Sequence, residues 1–436
     1  MSFPTPSPTG FASPTQPAPH QFATAALNTR IAFLVELARR LHQYGTSAPR
    51  LEMAIAGSAL RLGLAAEVWS SPTAIIISFS DLTQGEDGVA QVTQVMRLPP
   101  GDVNLARLCQ ADLIADQVIA GQMELRDGFR LLRDLGKPDT RRAQAGVIAS
   151  YGLAAASVVS LLLHSSWADL LTTAVIGLMI GTITVLSATR PRLAVASEAI
   201  CALVGTIFAI LVSALVVPLA IKSVILAGLI MLMPGMALTT SVREISSQHL
   251  VAGVARMGGA LATLLKLTFG TVAGAQLCAA FGIYPRDFAL PPLPSWTEVP
   301  ALMVAAIAFA MAFRAARRDW PVVMAAVVVG YVSTRWGGLI SGALPAAPFG
   351  VFLGGFLLGA LANVYARFAH RPGAVVREPG IILLVPGSVG FRSVSYLLER
   401  DTVLGFDTGV LLVTLLISLV AGLLFGDLLV APRRSL

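Results

Sequence analysis

Two prolines followed by glycine stand inside apolar stretches of this chain, at Leu232-Met-Pro234-Gly235 and Leu384-Val-Pro386-Gly387. Proline removes a backbone donor and frees the carbonyl one turn back, and glycine permits the bend. In hydrocarbon those freed groups need partners, so such breaks belong where they are buried in protein or line a polar cavity. Hydroxyls follow each break: Thr239, Thr240 and Ser241 after the first, Ser388 and Ser393 after the second. With exposed backbone dipoles, they have the chemistry to hold a small zwitterion or carboxylate. The plain alternative is a pair of kinks satisfied by packed neighbours; two breaks at matched positions favour a site.

Lys266 lies deep in an apolar segment. An intramembrane cation is expected to meet an anionic substrate group or take part in proton coupling, the plain alternative being a structural partner for a carboxylate. Glu198 reads as a helix-start carboxylate suited to the positive dipole end, and Asp427 as an interfacial residue near the end of the last segment. Asn363 reads as an interhelical hydrogen-bond donor. No Gly-rich phosphate loop ending in Gly-Lys-Ser/Thr, no His-Glu-x-x-His and no Gly-x-Ser-x-Gly is present. ATP drive and metallohydrolase chemistry therefore have no support, and the expectation is a non-enzyme without metal or cofactor.

The elements that position these residues repeat. The offset between the breaks is 386 − 234 = 152, and across 231–277 against 383–429 it yields 12 identities in 47 positions. Ser241-Val242 matches Ser393-Val394, Gly253 matches Gly405, Gly270 matches Gly422 and Gly274 matches Gly426. Apolar segments lie near 146–164, 167–187, 197–217, 222–240 and 251–281, then near 300–316, 320–337, 347–367, 378–397 and 404–430. Each is close to the ~20 residues a span requires. The expected fold is thus an all-α polytopic membrane protein of about ten helices. Five spans per period is an odd number, so the halves (141–290 and 291–436) are expected to be inverted repeats.

Composition agrees. Of 436 residues, 55% are hydrophobic and 13% charged, with mean hydropathy +0.75. That balance does not wrap around one aqueous core. The net charge of +7 comes from three Lys and twenty-eight Arg, and the Arg sit beside hydrophobic ends rather than in aromatic-interleaved patches, which argues against nucleic acid. The three cysteines are far apart in sequence and suggest neither a disulfide framework nor a metal cluster.

Residues 1–27 are Pro-rich and read as a disordered tail. Residues 28–140 read as a small α/β module: helices near 30–44 and 47–63, strands near 66–70, 74–80 and 91–98, a helix capped by Asp102 running to about 120, and another over 123–135. Placing the module in the cytoplasm puts fourteen loop arginines inside and five loop cations outside. The positive-inside rule selects that orientation, with both termini cytoplasmic.

At these residues the chain resembles the threonine/serine exporter family. The stretch Leu41-His-Gln-Tyr-Gly45-Thr-Ser47-Ala-Pro-Arg50-Leu-Glu52, then Leu62-Gly63 and Ser71-Pro72-Thr73, is similar to that family's cytoplasmic segment. The paired Pro234-Gly235 and Pro386-Gly387 segments are similar to its two membrane halves. The resemblance spans roughly 28–430, in a fused layout that some relatives split into two subunits resembling succinate exporters. It implies proton-motive-force-driven export of a small hydroxy amino acid across the plasma (inner) membrane, with a succinate-like dicarboxylate as the alternative cargo. Protons, the lipid bilayer and a second copy of the chain are the other expected partners. A membrane sensor whose module binds a ligand is the competing class, since bare transport does not require such a module.

Overall fold

Charge and strand-forming residues are concentrated ahead of the long apolar segments, and they form a small helix-and-sheet module whose core is continuous with that of the helices that follow. The computed structural model describes residues 27–82, 92–162, 165–286, 290–340 and 348–432. Most of the expected N-terminal tail, and Arg433 and Arg434, lie outside these residues. In the N-terminal module, α1 (Leu27–Gln43) buries Ile31, Leu34, Ala38 and Leu41, whose spacing of three and four places them on one face. α2 (Ala48–Arg61) carries Pro49 in its first turn, where a missing N–H removes no helical bond.

Strands β1 (Leu64–Ser71), β2 (Ala74–Asp81) and β3 (Val92–Arg97) form an antiparallel meander in that order. Ile75, Ile77 and Phe79 alternate inward from β2, as a half-buried strand requires. α3 (Leu105–Ile119) and α4 (Leu125–Leu135) complete the module. α3 is capped by Asn104, whose side chain accepts from Arg107 N at 3.1 Å, and not by the expected Asp102. The chain enters the helix two residues later than Asp102 allows.

The membrane part follows in two runs of the same order. The first is α5 (Arg141–Leu162), α6 (Trp167–Ser187), α7 (Pro191–Leu215), α8 (Ile221–Gly228), α9 (Gly235–Ser246) and α10 (Leu250–Ala280). The second is α11 (Glu298–Ala312), α12 (Trp320–Ile340), α13 (Pro348–Ala369), α14 (Ala374–Ile381), α15 (Gly387–Leu398) and α16 (Thr402–Leu429). The offset of 152 reappears in the elements: α9 and α15 start at 235 and 387, α10 and α16 at 250 and 402.

Among the described residues, eight helices are long and apolar enough to cross a membrane, or nine if α8 and α9, bent by 48° at their junction, are one span. The segments expected at 222–240 and 378–397 are therefore not straight helices. Each is two short helices, because Pro234 and Pro386 interrupt the hydrogen-bond ladder between them.

Close helix pairs hold each half. α7 packs against α10, and α13 against α16. At Gly270 an added Cβ would lie 2.2 Å from Ala199 O, and at Gly422 2.2 Å from Phe352 O, so both positions require the absence of a side chain. α10 has 31 residues, about 46 Å at 1.5 Å per residue and longer than a hydrocarbon core of about 30 Å. Its first turns reach the N-terminal module. Gly270→Ala should overpack the α7–α10 contact and cost about 1–3 kcal/mol, read as a lower melting temperature of the purified protein. Gly258→Ala, where a Cβ meets nothing within 4 Å, should leave it unchanged; equal melting of the two would show that the helices do not approach this closely.

Candidate functional site

The two breaks meet. Pro234 (φ −80°, ψ 37°) and Pro386 (φ −83°, ψ 42°) adopt nearly the same backbone immediately before α9 and α15. A Cβ on Gly235 would lie 3.1 Å from Gly387 N, and one on Gly387 would lie 3.1 Å from Gly235 N and Cα. A side chain at either position would crowd the other helix start, and one at Gly235 would also meet Val385 Cγ1 at 2.2 Å. The contacts are reciprocal: α9 packs on α16, α15 packs on α10, and α9 touches α15. Gly235 N donates to Met233 O at 2.8 Å and Gly387 N to Val385 O at 2.9 Å, so each break closes in the same tight turn. Two helix N-termini, each with first-turn N–H groups that no helical carbonyl accepts and a positive dipole end, thus converge on one place.

The hydroxyls after the breaks divide by what they already bind. Ser241 is fully buried and donates to Leu238 O at 2.8 Å, with Met257 Sδ at 3.8 Å. Ser393 is buried and donates to Gly405 O at 2.8 Å. Thr240 and Ser388 are partly buried. Thr239 is different: it is 2% exposed, and its Oγ1 is buried with no hydrogen-bond partner. Thr206 on α7 is likewise an orphaned buried hydroxyl. An unsatisfied buried polar atom in a native fold calls for an explanation, and an absent ligand or water is one.

Lys266 Nζ lies 3.6 Å from Glu198 Oε2, both side chains partly exposed. Glu198 does not start a helix as expected. α7 begins at Pro191, which places Glu198 two turns inside, too far for the dipole of the first turn to act on it.

A second polar cluster lies at the module end of the helices. Asp427, two residues from the end of α16, bridges two arginines: Arg243 Nη2 reaches Asp427 Oδ2 at 2.9 Å and Arg377 Nη2 reaches Oδ1 at 2.8 Å. Asn363 Nδ2 donates to Asp427 Oδ1 at 2.7 Å and to Val430 O at 2.7 Å, the interhelical role expected of it. Arg243 and Arg377 were legible only as topology markers. Their partner lies 184 and 50 residues away, so no local pattern announces the pairing. An arginine directly after Ala374-Val-Val and ahead of Pro379-Gly380 was the available signal.

The N-terminal module docks on the same end. Glu244, fully buried beside Arg243 on α9, accepts from Ala48 N at 3.1 Å and from Arg256 Nε and Nη2, each at 2.9 Å. Glu52 accepts from Ser70 N at 2.8 Å and faces His249 Nε2 at 3.1 Å. Arg50 of α2 stands within electrostatic reach of Asp112, Arg243 and Glu378, and desolvation at this junction pulls its guanidinium below the usual value. Leu105 N donates to Phe313 O at 3.0 Å, and Asp139 pairs with Arg314 at 2.8 Å, tying the module to the second half as well. A cavity of about 300 Å³ at that junction, away from the breaks, is lined by Tyr44, Asp102, Arg107 and Arg314 among others. Among the described residues, no group of three or more His, Cys, Asp or Glu could hold a metal ion.

Comparison with known proteins follows this layout. Pheromone-regulated membrane protein 10 of Zygosaccharomyces rouxii is 24% identical over 437 residues, covering 94% of this chain and 44% of the relative. The protein of the same name from Eremothecium gossypii is 25% identical over 389 residues, covering 85% of this chain and 50% of the relative. An uncharacterized protein of Schizosaccharomyces pombe is 23% identical over 372 residues, with 82% and 43% covered. The chain spans about half the length of the curated relatives it matches. No solved structure matches. A family profile described as "Putative threonine/serine exporter" matches residues 32–278, the module and the first helical run, and one described as "Threonine/Serine exporter, ThrE" matches residues 298–429, the second run. A multi-pass membrane chain with both parts fused, it belongs to the threonine/serine exporter family.

Proposed function

We propose that the chain is a secondary exporter of small hydroxy amino acids, threonine and serine, driven by the proton motive force. The observation that carries this reading is the meeting of Gly235 and Gly387, which brings two helix N-termini together beside the orphaned Thr239 hydroxyl. Converging positive dipole ends suit a carboxylate, and a buried unpaired hydroxyl suits a polar solute. Pro234, Gly235, Pro386 and Gly387 shape the site in this reading, and Thr239, Thr240, Ser241, Ser388 and Ser393 line it.

Counting each broken pair as one crossing makes five per half, so the second half enters from the opposite face and rocking of one half against the other alternates access. The arginine distribution favours the orientation with both termini in the cytoplasm, and the plasma (inner) membrane is the location proposed with the exporter reading. Lys266, held by Glu198, is the membrane-embedded cation that proton coupling would draw on. A dicarboxylate cargo is the second reading, favoured by the arginines around Asp427.

In proteoliposomes, threonine or serine efflux should require the protein and respond to an imposed pH gradient; movement of neither these nor succinate would remove the transport reading. Replacing Pro386-Gly387 by Ala-Ala should lower flux about tenfold or more by restoring a straight helix. Thr239→Val keeps the shape and removes a hydroxyl with no internal partner, so the melting temperature should hold or rise. Its half-saturation concentration should meanwhile rise about tenfold, the equivalent of ~1.4 kcal/mol; unchanged saturation would place Thr239 outside the site.

The docked module is read as a control element on α9. Glu244→Ala leaves Arg256 without its bidentate partner, at a cost of about 3 kcal/mol. Amide exchange at Ala48 should accelerate, and flux should persist with an altered rate. Abolished flux in a folded protein would instead make the module part of the path.

A further inference from the structure

Arg377 is 7% exposed, yet its guanidinium is only partly used: Nη2 donates to Asp427 Oδ1 at 2.8 Å and Asn363 Oδ1 at 3.2 Å, while Nε is buried with no partner. Nε and Nη2 form one edge of the guanidinium fork, the edge that matches the two oxygens of a carboxylate. Asp427 takes half of that edge and gives its other oxygen to Arg243 at 2.9 Å. One carboxylate therefore serves two arginines, and neither arginine has a bidentate partner in it.

The position of the pair matters as much as its chemistry. Arg243 belongs to the first helical run and Arg377 to the second, so Asp427 ties the two halves together at the module end. α9 runs from the first break to Arg243, about 12 Å along the helix, and Arg377 stands on α14, the short helix that leads into the second break. The 152-residue offset puts Ile225, Ser395 and Ala275 opposite Arg377, Arg243 and Asp427, so the cluster exists at one end of the molecule only. Arg50, Glu378 and, through Arg50, Asp112 are the other charged groups facing it.

We propose that Arg377 and Arg243 form a carboxylate-binding station at the module end of the translocation path, with Asp427 as the resident carboxylate that occupies it when no solute is present. An incoming solute carboxylate takes the Nε–Nη2 edge of Arg377, Asp427 leaves, and the link between the halves is cut. Asp427 is thus both competitor and latch, and the solute opens the latch by replacing it. The proposal deepens the exporter reading and rests on it for the claim that the solute carries a carboxylate.

The test uses the full purified chain and titrates L-serine, L-threonine and succinate, with serinol as the carboxylate-free control, following melting temperature and binding isotherm. The variants are Asp427→Asn, Arg377→Lys and Arg377→Gln. Removing the internal competitor should tighten carboxylate binding to Asp427→Asn about tenfold, because the open station no longer shares its population with a latched one. Arg377→Lys, which keeps the charge and loses the fork, should weaken it about tenfold, and Arg377→Gln should abolish it. Serinol should bind none of them better than wild type.

A gain of binding in Asp427→Asn does not come from misfolding, so that variant decides even if the arginine variants are unstable. Wild-type binding with no tightening in Asp427→Asn overturns the station and leaves the exporter reading standing. Tighter serinol binding along with serine overturns it too, since the gain would then not concern the carboxylate. Binding by Asp427→Asn where wild type is silent supports the latch. Absence of any carboxylate binding in both removes the station and the cargo reading together.

Discussion

A backbone group freed inside a membrane has no water to bind, and this chain frees two sets of them at matched places. The constraint is met by packing the breaks against each other, Gly235 on Gly387, with each glycine N–H closed in a tight turn onto the carbonyl two residues before it. The rest of the helical part is arranged around that contact. α9 and α15 must start there, α10 and α16 return along them, and the glycine-mediated pairs α7–α10 and α13–α16 bring the outer helices close enough to enclose it. A Cβ at either central glycine would crowd the backbone of the other, at the place where the two halves share a boundary.

The symmetry of the breaks is not carried into the charges. Asp427 holds Arg243 and Arg377 at the module end, and the equivalent positions in the other copy are Ala275, Ser395 and Ile225. The Arg377 guanidinium is expensive to bury, and one shared carboxylate oxygen with one amide oxygen is a sparse set of acceptors for it. An arrangement that serves stability alone would be replaced by apolar packing at little loss. Present at one end and joining two halves, it suits a contact that is made and broken.

The N-terminal module reaches the same end through α9. Glu244, adjacent in sequence to Arg243, accepts from the first N–H of α2 and from the Nε–Nη2 edge of Arg256, so any movement of α9 is felt by the module. Asp139 and Phe313 attach it to the second half in turn. An N-terminal module bonded to both halves has the geometry to restrain their relative motion.

The sequence by itself determined the period, the two breaks, the apolar runs and the α/β character of the module. All of these follow from local features: helix-breaking residues, hydrophobic length, and alternation in β2, each readable within a few turns of chain. It also pointed to hydroxyls after each break, without separating Ser241, which donates to a carbonyl of its own helix, and Ser393, which donates to Gly405 O of α16, from Thr239, which binds nothing. That distinction depends on which carbonyl lies within reach, a tertiary matter even inside one helix. Glu198 and Asp427 were read from their nearness to segment ends. Their partners, Lys266 at a separation of 68 residues and Arg243 at 184, come from other helices. Only the folded chain decided that the breaks touch, that Arg243 and Arg377 share one carboxylate, and that the module leans on α9. The reason is the same in each case: charge pairing and close packing act through space between segments far apart in the chain, and a linear pattern records the groups without recording which of them meet.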